Sequence, residues 1–101
     1  MIVAVMYPAK PNGRFDLDYY MQKHIPLVKA RWESCGLREV RVLRGAGAPG
    51  GEASYGVIAL LSFGSMADFE RAGREHGKEV LGDIPNFTDA QPVMQFCEEL
   101  G

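Results

Sequence analysis

The chain of 101 residues is long enough for one domain and too short for two. Hydrophobic residues make up 47% of it and charged residues 24%, and the formal net charge of −2 provides no basic surface for nucleic acid or an anionic membrane. Cys35 and Cys97 are too few for a disulfide framework, and Pro8 ends the apolar N-terminal run well short of a membrane span. We therefore expect a reduced, cytoplasmic protein.

The hydrophobic patterns predict six elements in the order βαββαβ. Ile2 to Tyr7 is a β-branched run stopped by Pro8, and further strands are predicted over 37–45, 54–63 and 93–100. Helices are predicted over 17–35 and 66–77, the second with a broken extension to Leu81, and residues 83–92 form an irregular connection. This order is typical of an α+β, ferredoxin-like sandwich.

Local signals mark the ends of the helices. The Asp16 carboxylate can accept a free backbone N–H of the first turn, and Phe15 and Tyr20 have the spacing of a hydrophobic staple. Gly36 is placed to end this helix in a left-handed conformation, and Ser65 is the expected N-cap of the second helix.

The first and third predicted strands are apolar on both faces. In the third strand, Ile58 and Leu60 lie opposite a second apolar set, Tyr55, Val57, Ala59, Leu61 and Phe63. Two helices cover only one face of such a sheet, so the other apolar face needs a cover. The economical cover is the same face of a second copy, which predicts a homodimer; the alternative is a monomer with an unusually large exposed apolar face.

The sequence predicts neither a nucleotide cofactor nor a metal. The segment GAGAPG, residues 45–50, has the spacing Gly-x-Gly-x-x-Gly, but a dinucleotide site needs a helix after this motif and the next predicted element is a strand. We interpret the segment as a loop. His24 and His76 are the only histidines, and neither has another ligand type at a recognised spacing.

His24 lies in the middle of the apolar stripe of the first predicted helix. Tyr20 lies one turn earlier on the same face, Arg31 projects inward on an ideal helix, and Pro26 is expected to loosen or kink the helix beside the histidine. A core histidine with satisfied ring nitrogens and a pocket-lining or catalytic histidine both fit this pattern. The stripe comprises Leu17, Tyr20, Met21, His24, Leu27, Val28 and Cys35.

Two stretches of the chain resemble the EthD-like family of small proteins with a ferredoxin-like fold and dimeric α/β-barrel assembly. They are FDLDYYMQKHIPLV, which begins at Phe15, and DIPNFTDAQPVMQ, which begins at Asp83. The length and the element order are similar to the family over the whole chain. His24 matches the motif histidine and Tyr20 the second motif tyrosine, whereas His76 matches no motif position.

The resemblance implies a ligand cleft between the first helix and the sheet. In this cleft His24 is the expected proton-transfer group and Tyr20 its hydrogen-bonding or orienting partner. Further ligand contacts are expected from Tyr7, Leu27, Arg31, Asp83 and Phe87. No cofactor is implied, because relatives of this architecture include cofactor-free monooxygenases, isomerases and cyclases.

The leading prediction is therefore a small enzyme, or an accessory to an oxidative degradation pathway, that holds an apolar or aromatic molecule. A non-catalytic carrier of a hydrophobic metabolite is the first alternative. A structural dimer with no pocket and a tightly packed His24 is the second. A cavity beside His24 separates the first two from the third.

Overall fold

A computed structural model describes residues 1–101 and contains one four-stranded sheet with two helical segments on one face. The strands are β1, Ile2–Pro8; β2, Leu37–Arg44; β3, Tyr55–Phe63; and β4, Val93–Cys97. Their order in the sheet is β2-β3-β1-β4, and all neighbouring pairs are antiparallel. The α+β, ferredoxin-like prediction is confirmed.

The first helix is a continuous helical segment over residues 17–35 with four different parts. An α-helical turn, Leu17–Tyr19, leads into a π-helical turn, Tyr20–His24; an α-helix, Ile25–Trp32, and a 3₁₀ turn, Glu33–Cys35, follow. Asp16 accepts the N–H of Tyr19 at 3.0 Å, and Gly36 has a φ of 97°, so both predicted ends are found.

The π turn lies directly before Pro26. Its last hydrogen bond runs from the N–H of Ile25 to the carbonyl of Tyr20, five residues back. Pro26 then lies in the first turn of the following α-helix and has no N–H to donate to the preceding turn. The loosening expected beside His24 thus takes the form of a widened turn, a feature frequent at functional sites.

The second helix, Met66–Gly82, begins at Ser65, whose hydroxyl accepts the N–H of Asp68 at 3.1 Å. It continues one residue beyond Leu81 without the predicted break. A short 3₁₀ turn, Ile84–Asn86, follows it within the segment that the sequence presents as irregular. This turn places residues 83–88 beside the start of the first helix, where Asp16 N donates to the Phe87 carbonyl at 2.8 Å.

The core lies between the helices and one face of the sheet. Val3, Val5 and Tyr7 of β1 are buried there beside the odd-numbered residues of β3. The opposite face has no helix on it and is also apolar at its centre, through Ile2, Met6, Ile58 and Leu60. The predicted two-sided character of β1 and β3 is therefore present.

Other parts of the chain agree in outline with the sequence. The Gly-rich segment 45–50 lies in the connection between β2 and β3. The last strand ends at Cys97, three residues before the predicted end at Leu100. Neither helical segment combines the length and apolar character needed to cross a membrane.

Candidate active site

The site forms where the first helix, β1 and residues 83–88 meet. Tyr20 and His24 project from the π turn, Tyr7 comes from the end of β1, and Phe87 follows the 3₁₀ turn. The Phe87 ring packs edge to face on Tyr20 and Tyr7, with ring centroids 5.0 Å and 5.8 Å apart, and the His24 ring is stacked on Tyr20 with centroids 5.6 Å apart. Such aromatic pairs stabilise the cluster beyond the area that they bury, so the ring of His24 is held in a fixed frame.

One ring nitrogen of His24 is bound to Asp83. The Nδ1 atom lies 2.9 Å from Asp83 Oδ2, and the histidine is only 4% exposed. The other carboxylate oxygen accepts the Tyr19 hydroxyl at 2.7 Å and the Asn86 side-chain amide at 2.9 Å. The carboxylate therefore receives three donors, which orients it towards the imidazole.

The charges of this pair follow from its surroundings. Burial lowers the pKa of His24, and the hydrogen bond and charge of Asp83 oppose that shift only in part. Burial alone would raise the pKa of Asp83, but the hydrogen bonds from Tyr19, Asn86 and His24 together lower it. Near neutral pH the aspartate is ionised and the histidine neutral, with its proton on Nδ1 and the Nε2 lone pair free.

A small apolar cavity lies between the first helix and the sheet, in contact with His24. Its volume is about 30 Å³, room for roughly two water-sized spheres. Tyr7 and Tyr20 contribute the other polar atoms of its wall. The remaining lining is apolar and includes Val5, Ile25, Val28, Trp32, Ala59, Leu61, Val80, Leu81, Ile84 and Met94.

Three polar atoms of the cavity wall have no partner within the chain. Neither hydroxyl of Tyr7 and Tyr20 is hydrogen-bonded, and the only bond of the His24 ring is the one to Asp83. Every side-chain nitrogen or oxygen that is sealed from solvent has a hydrogen-bond partner. These three atoms therefore reach the open space of the cavity. Burial raises the pKa of both tyrosines, so both present a neutral O–H.

The expected site residues divide into two groups. Tyr7, Tyr20 and His24 line the cavity. Four others do not line it. Asp83 lies behind His24, and Phe87 is fully buried with its ring centroid 4.6 Å from that of His24. Leu27 is half-buried, and Arg31 pairs with Glu79 of the second helix. The inward projection expected of Arg31 is not found.

The π turn explains this difference. A π turn takes in one more residue than an α turn, so positions beyond it are displaced around the helix axis. The buried positions after His24 are Ile25, Val28, Trp32 and Cys35. Met21, expected on the buried stripe, lies within the π turn itself and is 47% exposed. Trp32 occupies the inward place that an uninterrupted helix would give to Arg31.

The sequence interpretation missed two residues that contribute to the geometry of the site. Tyr19 and Asn86 hold the Asp83 carboxylate but do not touch the cavity. Asn86 lies within the same stretch as Asp83, a signal that could have been used; the role of Tyr19 depends on a contact 64 positions away in the chain. No group of three or more His, Cys, Asp and Glu side chains is arranged to hold a metal ion.

Comparison with solved structures identifies relatives of this architecture. An EthD-like protein from Ralstonia eutropha JMP134 has a TM-score of 0.91 and 36% sequence identity, over 99% of this chain and 91% of that one. An EthD family protein from Bacillus halodurans C-125 has a TM-score of 0.70 and 21% identity over 96% of each chain, which speaks for the fold alone. No protein-family model and no curated protein matches the chain. On the full-length similarity to the Ralstonia protein, the chain belongs to the EthD-like family.

Proposed function

We propose that this protein binds a small apolar or aromatic molecule in the cleft between the first helix and the sheet, and that His24 transfers a proton there. One observation carries the proposal. An unpartnered, neutral Nε2 opens into an apolar cavity while Nδ1 is held by an ionised Asp83. A buried base oriented by a carboxylate and aimed at an apolar space is suited to general base catalysis.

The chemistry follows from the atoms in the wall. His24 Nε2 takes a proton from the hydroxyl of a phenol or enol, or from a carbon next to a carbonyl, and becomes an N–H. Asp83 stabilises the imidazolium so formed, in the way a buried carboxylate supports other catalytic histidines. The hydroxyls of Tyr7 and Tyr20 donate to the oxygen on which negative charge develops.

His24 must give up the proton that it takes, and this requirement favours isomerisation or cyclisation. Returning the proton from Nε2 to a different atom of the same molecule completes either reaction with no oxidant or reductant. An oxidation would need molecular oxygen or a partner enzyme as electron acceptor. General base catalysis by one group commonly contributes about 10²–10⁴ in rate.

We also propose a homodimer built on the face of the sheet that the helices leave uncovered. Its centre is apolar. Four side chains there are partly exposed to solvent: Ile2, Met6, Ile58 and Leu60. Leu43 and Val93 extend this apolar area to β2 and β4, at 42% and 44% exposure. A continuous apolar face of this kind is characteristic of an interface.

The experiment is a ligand panel followed by NMR of the histidine ring nitrogens. Phenols, enolisable ketones and unsaturated lactones should shift the His24 Nε2 signal, with no equivalent change at His76, which does not line the cavity. His24→Ala should abolish turnover of any compound that reacts, whereas His76→Ala should retain it. Binding without turnover would identify a carrier; no ligand-dependent shift with any compound would overturn the proposal.

A further inference from the structure

A second apolar space lies under the second helix, next to the cavity beside His24. The second space has a volume of about 70 Å³, or roughly six water-sized spheres. Val5, Trp32, Leu61, Leu81 and Met94 line both spaces. The second space lies along β1 at Val3 and Val5, reaches Phe69 and has no polar lining atoms.

Two glycines of the second helix form part of the wall of this second space. Gly73 and Gly77 are one turn apart, and Gly77 is buried. A Cβ added to either would find no atom within 4 Å, so neither glycine is required by close packing, and neither has a positive φ. Glycine inside a helix is less favourable than alanine, so the buried Gly77 keeps space open where alanine would stabilise the fold, whereas Gly73 is exposed.

We infer that the ligand is elongated, with a hydroxyl or carbonyl group at His24 and an unbranched alkyl tail that lies under Gly77. This inference rests on the proposed function. The polar end is set by the three unpartnered polar atoms of His24, Tyr7 and Tyr20, each in a side chain at least nine-tenths buried. The tail end is set by the wholly apolar lining of the second space.

The exposed residues Leu81 and Met94 mark the entrance. They are 48% and 43% exposed and line both spaces, one from the second helix and the other from β4. A molecule entering between them meets the junction of the two spaces. Its polar ring can turn towards His24 and its tail towards Gly77.

Para-alkylphenols of increasing tail length test the inference. Trp32 is the only tryptophan and lines both spaces, so its fluorescence reports binding. Excitation at the red edge of indole absorption avoids the phenols. Each added methylene should tighten the Kd about fourfold until the tail reaches the end of the space.

Three variants of the second helix distinguish binding in the tail site from nonspecific hydrophobic binding. Gly77→Leu places a side chain in the space and should remove the gain with tail length while phenol itself still binds. Gly77→Ala should raise the Tm by about 4–8 °C, because alanine is the better helix former, yet weaken the long-tailed phenols. Gly82→Ala adds a methyl to this helix outside both spaces and should leave the tail dependence intact.

The outcomes separate this inference from the proposed function. If phenol binds at His24 but its affinity does not change with tail length, the elongated ligand is wrong and the His24 site stands. If the tail dependence survives Gly77→Leu, the tail lies elsewhere and the inference is overturned. If neither phenol nor its alkyl derivatives bind, this inference is overturned, and the proposed function is overturned as well only if no other compound of the panel shifts the His24 Nε2 signal.

Discussion

Asp83→Asn tests the role of the carboxylate behind His24. The ionised carboxylate accepts three donors, from His24, Tyr19 and Asn86, through two oxygen atoms. An amide of the same shape offers one acceptor oxygen and one donating nitrogen. The substitution therefore leaves two arrangements, and each disturbs the site in a measurable way.

In the first arrangement the amide nitrogen faces Tyr19 and Asn86, which then lose the acceptor for their donors. In the second it faces His24, which either leaves Nδ1–H unpaired or moves the ring proton to Nε2. An unpaired buried donor costs about 1–3 kcal/mol, and His24 is 4% exposed, so water cannot replace the bond. At about 4–8 °C per kcal/mol for a domain of this size, the Tm should fall by on the order of 10 °C where the His24 bond is lost, and by less where Tyr19 and Asn86 lose their acceptor, because Asn86 is exposed.

Thermal unfolding and nitrogen-15 NMR of the imidazole together provide the assay. Glu52→Gln makes the same chemical change in the exposed connection between β2 and β3 and should change the free energy of unfolding by less than about 0.5 kcal/mol. In Asp83→Asn, a proton on Nε2 would remove the base even where the fold survives. An unchanged Tm together with a deprotonated Nε2 in Asp83→Asn would refute the reasoning.

Three further predictions concern pH, ligand binding and assembly. The pKa of His24 is lowered in the folded protein, so the free energy of unfolding should fall as the pH drops below about 6.5, by at most about 1.4 kcal/mol per pH unit. Urea titrations should show that this slope is reduced in His24→Gln and retained in His76→Gln. Tyr20→Phe removes a hydroxyl that has no partner, so stability should change by less than about 0.5 kcal/mol, while calorimetry should show phenol binding weakened roughly fivefold; equal phenol affinity would place that hydroxyl outside the site. Light scattering should give twice the chain mass of 11.1 kDa for the unaltered protein and for Met21→Lys, which lies on the exposed side of the first helix. Leu60→Lys should give one chain mass. An unaltered protein with the mass of a monomer would refute the proposed dimer.

The order of elements and the ends of the helices could be predicted from the sequence because both depend on near neighbours. Asp16, Gly36 and Ser65 act within three or four residues of their own positions, through a hydrogen bond or a backbone conformation. The alternation in β1 and β3 likewise follows from the two-residue period of a strand. These features need no knowledge of distant contacts.

The histidine motif was visible in the sequence, but its geometry was not. An ideal helical period predicted Arg31 and Leu27 on the inner face, whereas the π turn before Pro26 displaces the positions that follow and brings Trp32 inward. The presence of Pro26 predicts some irregularity in the first helix. Whether that irregularity becomes a kink or a widened turn is decided by packing against the sheet.

Long-range contacts alone decided what His24 is able to do. The sequence by itself determined a histidine on the inner side of a helix and an Asp83 in a second motif, 59 positions later. Only the tertiary structure put Asp83 on Nδ1, left Nε2 without a partner, and opened an apolar space beside it. The physical reason is that a pKa and a hydrogen-bond direction depend on every neighbour in space, and two neighbours that hold this ring, Asp83 and Phe87, are about 60 positions away in the chain.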